Sequence, residues 1–447
     1  MTTTAAVEPL LDELAELLRI PSMSADPAHG DDVRSAAEWV AAFLRDAGGD
    51  AEVVDWRGSP LAVGELRAST GADSAPTVLV YGHFDVQPPD PLELWQSDPF
   101  DLELRDGWLY ARGIADDKGQ LYLLMKAAAG LSADGALPVN VLFACDGEEE
   151  VGGHSIIDFL AEEDRAADAA VIFDADMPAR GVPAFYVATR GIVYMHLRVR
   201  AGERDLHSGM YGGAALNALH ALAQTVSGVT ARDGRLPEPL RAGVVPPTVE
   251  EVASWRSLAA GDEVLADQGA RPLDVAAGEE FYVRTWAEPS FDVNGIAGGS
   301  PFLQKTVIPA LAEANLSIRL APGQDPDAMF VEVERLLRDA APAGAEVELE
   351  RMASGRPGLV EPSSPAIALA QDAFERALGA RPLLLRSGGS LPIVPSLCDQ
   401  GIPTVITGFA LPDSNVHSPN ERLLLEYVPL GVAAARELFV GFAGLPR

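Results

Sequence analysis

The sequence predicts an α/β fold: a mainly parallel sheet with helices on both faces, interrupted by an inserted α+β domain. Three observations carry this. Short apolar runs alternate with helical periodicity through the first part of the chain. From about Thr189 the texture changes to strands that alternate apolar and polar residues, with helices between them. After Gly355 the first texture returns. The expected organisation is a first segment at residues 1–188, an inserted domain at 189–354 and a second segment of the original domain at 355–447.

Each element has a local reason. Leu10, Leu11, Leu14, Leu17 and Leu18 recur at helical spacing, and Pro21 ends that helix. A second helix runs from about Asp31 to Gly48, with Val33, Ala37, Val40 and Leu44 on one face. Strands follow at 51–56, 61–66 and 77–81, the last leading into Gly82, His83, Phe84 and Asp85. A hairpin is expected around Asp106–Gly107 and a helix over 120–131. The run 139–144 reads as a buried strand that breaks into Asp146, Glu148, Glu149 and Glu150. A helix over 154–163 and a strand over 169–173 come next, the strand ending in Asp174 and Asp176. In the inserted part, strands are expected at 192–200, 315–320 and 345–351, and helices at 214–226 and 325–339. The last segment reads as a helix over 365–378, a glycine turn at 386–390 before a short helix, a strand over 403–407 and a final helix over 427–442.

Composition narrows the function. The 447 residues suffice for two or more compact domains. The formal charge of −33 repels phosphate backbones and anionic membranes, so neither nucleic acid nor membrane is an expected partner. Arginine supplies nearly all the positive charge, since the lysines are Lys118, Lys126 and Lys305. Two cysteines, Cys145 and Cys398, exclude a disulfide framework and leave room for one bridge, with a reducing compartment the simpler reading. Neither a signal peptide nor an apolar run of membrane-spanning length is visible, so the expected location is the cytoplasm.

Carboxylates crowded at the end of a buried strand repel one another, so they form either a solvated turn or a site neutralised by a cation. Open α/β sheets gather ligands beyond the carboxyl ends of their strands, where His83, Asp85, Glu149, Glu150 and Asp174 fall. His83 and Asp85 form an HxD pair; a metal-bound histidine commonly hands its second nitrogen to a carboxylate. Asp116 and Asp117 precede a helix, where capping alone would favour them. If Asp116 is free to bind metal, Asp117 is expected to anchor the loop, through Lys118 or a nearby arginine. Of the adjacent Glu149 and Glu150, one can bind metal while the other takes a proton from water and relays it to a leaving amine. Asp174 and His417 would complete two metal sites, and the histidine and carboxylate mixture suits zinc, with manganese or cobalt as alternatives.

The stretches YGHFDVQP, RGIADDKG, DGEEEVGG, TRGI, DLHSGMYGG, KTVIP, SIRL, RSGGSLP and VHSPNE stand in this order along nearly the whole chain. In them the sequence resembles the di-zinc metallopeptidase family of cytosolic non-specific dipeptidases and carnosine dipeptidases, with acetylornithine deacetylase and succinyl-diaminopimelate desuccinylase as relatives. DLHSGMYGG and RSGGSLP resemble the dipeptidase branch in particular. The resemblance implies a zinc-peptidase-like fold with a dimerisation (lid) insert, two Zn2+ per subunit, a small peptide substrate and a homodimer formed through the insert. It implies that His83, Asp116 and Asp174 hold one metal, and that Asp116, Glu150 and His417 hold the other. It makes Glu149 the general base and acid, and Asp85 the orienter of His83. His207 would reach the partner subunit's site to stabilise the oxyanion. Arg319 and Ser390 would bind the substrate's terminal carboxylate, with Arg386 and Lys305 as weaker candidates. The Asp116–Asp117 peptide is often cis in such proteins. Glu148 leaves a one-residue register shift open, and Asp176 is a spare acid beside Asp174.

The expected activity is hydrolysis of dipeptides with a free C-terminal carboxylate. N-acyl amino acid deacylation on the same scaffold is the nearest alternative. A non-catalytic dimeric binding protein and a di-metal phosphoesterase are the more distant ones.

Overall fold

The computed structural model describes residues 4–162, 166–389 and 391–446. The chain divides into two compact units. The first comprises Met1–Val187, Val360–Leu385 and Pro392–Arg447; the second comprises Ala188–Leu359 and Arg386–Leu391.

The first unit is built on a six-stranded sheet. Its strands, in spatial order, are Asp50–Trp56, Ser59–Leu66, Asn140–Asp146, Thr77–His83, Ala169–Phe173 and Thr404–Thr407. The first two form an antiparallel edge, and Ser59–Leu66 is also antiparallel to Asn140–Asp146. The remaining neighbours run parallel. Every residue of Asn140–Asp146 and of Ala169–Phe173 is buried. Because successive side chains point to opposite faces, these strands are covered on both sides, which is why they read as continuous apolar runs. Helices Gly30–Asp46, Lys118–Ala133, Pro365–Leu378 and Tyr427–Phe442 supply much of the cover.

The second unit carries a four-stranded antiparallel sheet in the order Ser290–Ala297, Leu311–Leu320, Gly191–Arg200, Glu346–Gly355. Val193, Met195, Leu197 and Val199 alternate into its core, where helices Ala218–Val226 and Pro326–Ala340 pack. The first of these helices starts four residues later than periodicity suggests. The Asn217 side chain accepts from the backbone N–H of Leu219 and His220 and so fixes the start.

Candidate metal centre

Four parallel strands of the first unit deliver residues to one edge. His83 closes Thr77–His83, and Asp85 follows it. Asp146 closes Asn140–Asp146, and Glu149 and Glu150 sit on the turn beyond it. Asp174 follows Ala169–Phe173 directly, and Thr404–Thr407 feeds the loop that carries His417. Asp116 arrives from the loop before helix Lys118–Ala133, and its peptide bond to Asp117 is cis.

These side chains converge on two trios that share one residue. His83 Nε2 lies 3.0 Å from Asp116 Oδ1 and 3.8 Å from Asp174 Oδ1. The other oxygen of Asp116 lies 2.9 Å from His417 Nε2, which is 3.2 Å from Glu150 Oε2. In each trio the potential ligand atoms lie within 4.8 Å of one another. Tetrahedral coordination with bonds of about 2.0–2.2 Å places ligand atoms about 3.3–3.6 Å apart. Spacings of 2.9 to 3.8 Å bracket that range, so both donor sets fit a divalent cation.

Electrostatics support the same reading. Burial, reinforced by Asp174, Asp116 and Glu150, pushes Glu149 up to about 8, with His83 opposing. Burial, with Asp116 and Glu150, pushes Asp174 up to about 6, against the His83 hydrogen bond. Burial would lower His83, yet Asp116, Asp174 and Asp85 hold it well above the usual imidazole range. Hydrogen bonds to Asp116 and Glu150 pull His417 up to about 10. For Asp116 burial works upward, but His417 and His83 hold it below the ordinary carboxylate range. Metal binding at such a cluster requires deprotonated ligands and so releases protons.

The supporting contacts are specific. Asp85 places Oδ1 3.3 Å from His83 Nδ1 and accepts backbone N–H bonds from Glu149 and Glu150 at 3.2 and 3.1 Å. Glu148 is turned away: its carboxylate accepts the Ser155 N–H at 2.6 Å, so Glu150 enters the trio. Asp176 accepts a hydrogen bond from the Tyr186 hydroxyl, and it is Asp174 that joins His83. Asp117 anchors the loop, but among the described residues neither Lys118 nor an arginine is its partner in that role. Its Oδ2 accepts the His83 N–H at 3.1 Å, and a Cβ on Gly82 would come within 2.7 Å of that oxygen. Lys118 instead donates to the carbonyls of Leu17 and Ile20 at 3.1 and 2.5 Å.

Two supports escaped the sequence reading. Gln87 donates to Glu150 Oε2 at 2.8 Å, and the Glu421 carboxylate binds the Asp116 loop. Both lie inside motifs that were recognised, YGHFDVQP and VHSPNE, and that was their available signal. A cavity of about 500 Å³ lined by Asp116, Asp174, Leu411, Asn415 and Val416 adjoins the centre, a size suited to a small substrate.

The second unit holds the other expected residues. His207 is exposed on strand Leu206–His207, and its Nδ1 accepts the Gly209 N–H at 3.0 Å. Arg319 lies on Leu311–Leu320, opposite Ser290 and Ile192. Beside it stands Arg190, which burial and then the charge of Arg319 pull down to about 10. Arg190 also donates to Gly388 O and to Ser290 Oγ, both at 3.1 Å. Arg386, a weaker substrate candidate, is engaged within the second unit. It is fully buried and donates to Glu251 at 2.6 Å and to the Val245 and Pro246 carbonyls at 3.0 and 3.2 Å. Lys305 is exposed, and Ser390 lies outside the described residues.

The model of the peptidase family M20/M25/M40 matches residues 79–440, and the chain belongs to that family. It is a hydrolase of the metallopeptidase class. The chain is 29% identical over 434 residues to the cysteinylglycine-S-conjugate dipeptidase of Corynebacterium striatum, covering 93% of this chain and 91% of that protein. It is 28% identical over 374 residues to the Beta-Ala-His dipeptidase of Homo sapiens, covering 80% and 73%. Among solved structures, an M20 family metallo-carboxypeptidase from Sulfolobus solfataricus superposes with a TM-score of 0.83 at 26% identity, covering 97% of this chain and 99% of that one.

Proposed function

We propose that this protein is a metal-dependent dipeptidase that cleaves dipeptides bearing a free C-terminal carboxylate, with two zinc ions per chain. The observation that carries the reading is Asp116, whose two oxygens face two different ligand trios. His83, Asp116 and Asp174 would hold one ion, and Asp116, Glu150 and His417 the other. The nitrogen and oxygen donors suit zinc, with manganese or cobalt as alternatives. Bound there, two divalent cations supply Lewis acidity, lowering the pKa of water and polarising a carbonyl.

The chain's own residues do the rest. Glu149 takes a proton from the attacking water on its carboxylate and passes it to the leaving amine. Asp85 fixes the His83 ring through Nδ1. The Gly209 N–H bonds to Nδ1 of His207, which leaves Nε2 as the ring atom available to donate. That donor stabilises the oxyanion of the partner subunit's substrate in a homodimer. Arg319 binds the terminal carboxylate, a task its forked donors suit. The neighbouring Arg190 adds positive charge to the same surface.

Dimerisation through the second unit is supported by its exposed Met210, Ile296, Phe302 and Leu303. A cytoplasmic location is supported by Cys145 and Cys398 not being joined in a disulfide. The test is hydrolysis of an unblocked dipeptide before and after chelation. Activity should vanish with the metal and return on adding zinc; cleavage that persists in metal-free protein would overturn the reading.

A further inference from the structure

We infer that Glu421 is a positioning residue that sets the spacing between Asp116 and His417, and so governs the ion held by Asp116, Glu150 and His417. This rests on the two-ion reading above. Glu421 belongs to the loop that carries His417, yet its carboxylate lies inside the loop that carries Asp116. It is fully buried and accepts four bonds there. Oε2 takes Arg112 Nη1 at 2.7 Å and the Gly113 N–H at 3.1 Å. Oε1 takes the N–H of Ala115 at 2.8 Å and of Asp116 itself at 3.1 Å. Its backbone carbonyl accepts the Ala111 N–H at 3.2 Å. Every one of these donors lies on residues 111–116.

Asn420 continues the tie in the other direction, accepting the Gln96 N–H at 2.9 Å and donating to Leu94 O at 2.8 Å. The loop needs holding, because Asn415, His417 and Asn420 all have left-handed backbones with φ of 56°, 59° and 60°. The trio of His83, Asp116 and Asp174 meets this clamp through Asp116 alone, whereas the other trio meets it through both Asp116 and His417. None of the first trio lies in the His417 loop, and Asp117 independently ties the Asp116 turn to the His83 backbone. Loss of Glu421 should therefore weaken one ion selectively.

The experiment titrates metal-free protein with Co2+ and follows visible absorption together with competition by a chelator. Wild type should take up two ions per chain; fewer than two would remove the two-ion reading itself. Glu421→Gln should keep one ion at wild-type affinity and bind the other about 10–100-fold more weakly, the range typical of residues that orient metal ligands. Asn140→Ala, which removes a buried side chain bonded to Ala68 N and Ala72 O, should lower the melting temperature without altering either ion. If Glu421→Gln is recovered unfolded, Glu421→Asp keeps the charge with a shorter reach and is read in the same way. Equal weakening of both ions, or none, would overturn the inference.

Discussion

Asp85 meets one nitrogen of the His83 ring with two oxygens: its Oδ1 lies 3.3 Å from His83 Nδ1, and its backbone carbonyl lies 3.1 Å from the same nitrogen. The same carboxylate gathers the N–H groups of Glu149 and Glu150, so one side chain joins two strand ends. Asp85→Ala should weaken metal binding about 10–100-fold. Competition with a chelator measures this, and unchanged affinity would remove Asp85 from the support of the centre.

Glu149 is assigned to proton transfer and Glu150 to the ligand set, so their substitutions should separate. Glu149→Ala should retain both ions while kcat falls by about 10²–10⁴-fold. Glu150→Ala should lose the ion shared with His417. Metal analysis beside steady-state kinetics distinguishes the two, and an active Glu149→Ala would show that another group moves the proton.

His207→Ala should leave metal content unchanged and depress kcat by about 10²–10³-fold, the effect of removing an oxyanion donor. If KM rises while kcat stays constant, His207 acts in binding alone.

Arg386 and Glu251 form a buried pair with a 2.6 Å contact, and Glu251 also closes the capping box of helix Val249–Trp255 with Thr248. Breaking such a pair from one side leaves an uncompensated buried charge, at about 3–5 kcal/mol. Arg386→Met should lose stability on that order in urea unfolding. The double variant Arg386→Met, Glu251→Leu should recover part of it. Full stability in the single variant would show that the pair is dispensable.

Asp146 gives a pH signature in metal-free protein. Burial and then the charge of Asp85 push its carboxyl from 3.8 up to about 7, and among the described residues its Oδ2 has no hydrogen-bond partner. The folded state therefore binds this proton more tightly than the unfolded state. Its contribution is fully present below about pH 4 and is lost as pH rises toward about 7, by on the order of 4 kcal/mol. Asp146→Asn should lessen the slope of stability across that window, leaving the part that Asp174 and Glu149 contribute. An unchanged slope would mean that Asp146 does not titrate there.

Much of this was legible because local chemistry and tertiary role coincide. Helix Tyr427–Phe442 and strand Ala169–Phe173 have the bounds their apolar patterns suggest, since packing chose the faces that periodicity marks. Strand Ser290–Ala297 was not legible: it lies at a sheet edge, mostly exposed, and carries no alternation. Arg386 read as a substrate candidate because its partner Glu251 lies 135 positions away. Glu421 went unnoticed for the same reason, the donors to its carboxylate being 305 to 309 positions distant. The second unit gained Arg386–Leu391 through just such contacts, Arg386 to Glu251 and Arg190 to Gly388.

The central claim is metal-dependent cleavage of a peptide bond beside a free carboxylate. One comparison tests it most directly: zinc-loaded protein acting on unblocked dipeptides, on their C-terminal amides and on N-acetyl amino acids, each with and without chelator. The account predicts chelator-sensitive cleavage of the free dipeptides with the amides spared. Preference for the N-acetyl amino acids, or equal cleavage of the amides, would contradict it.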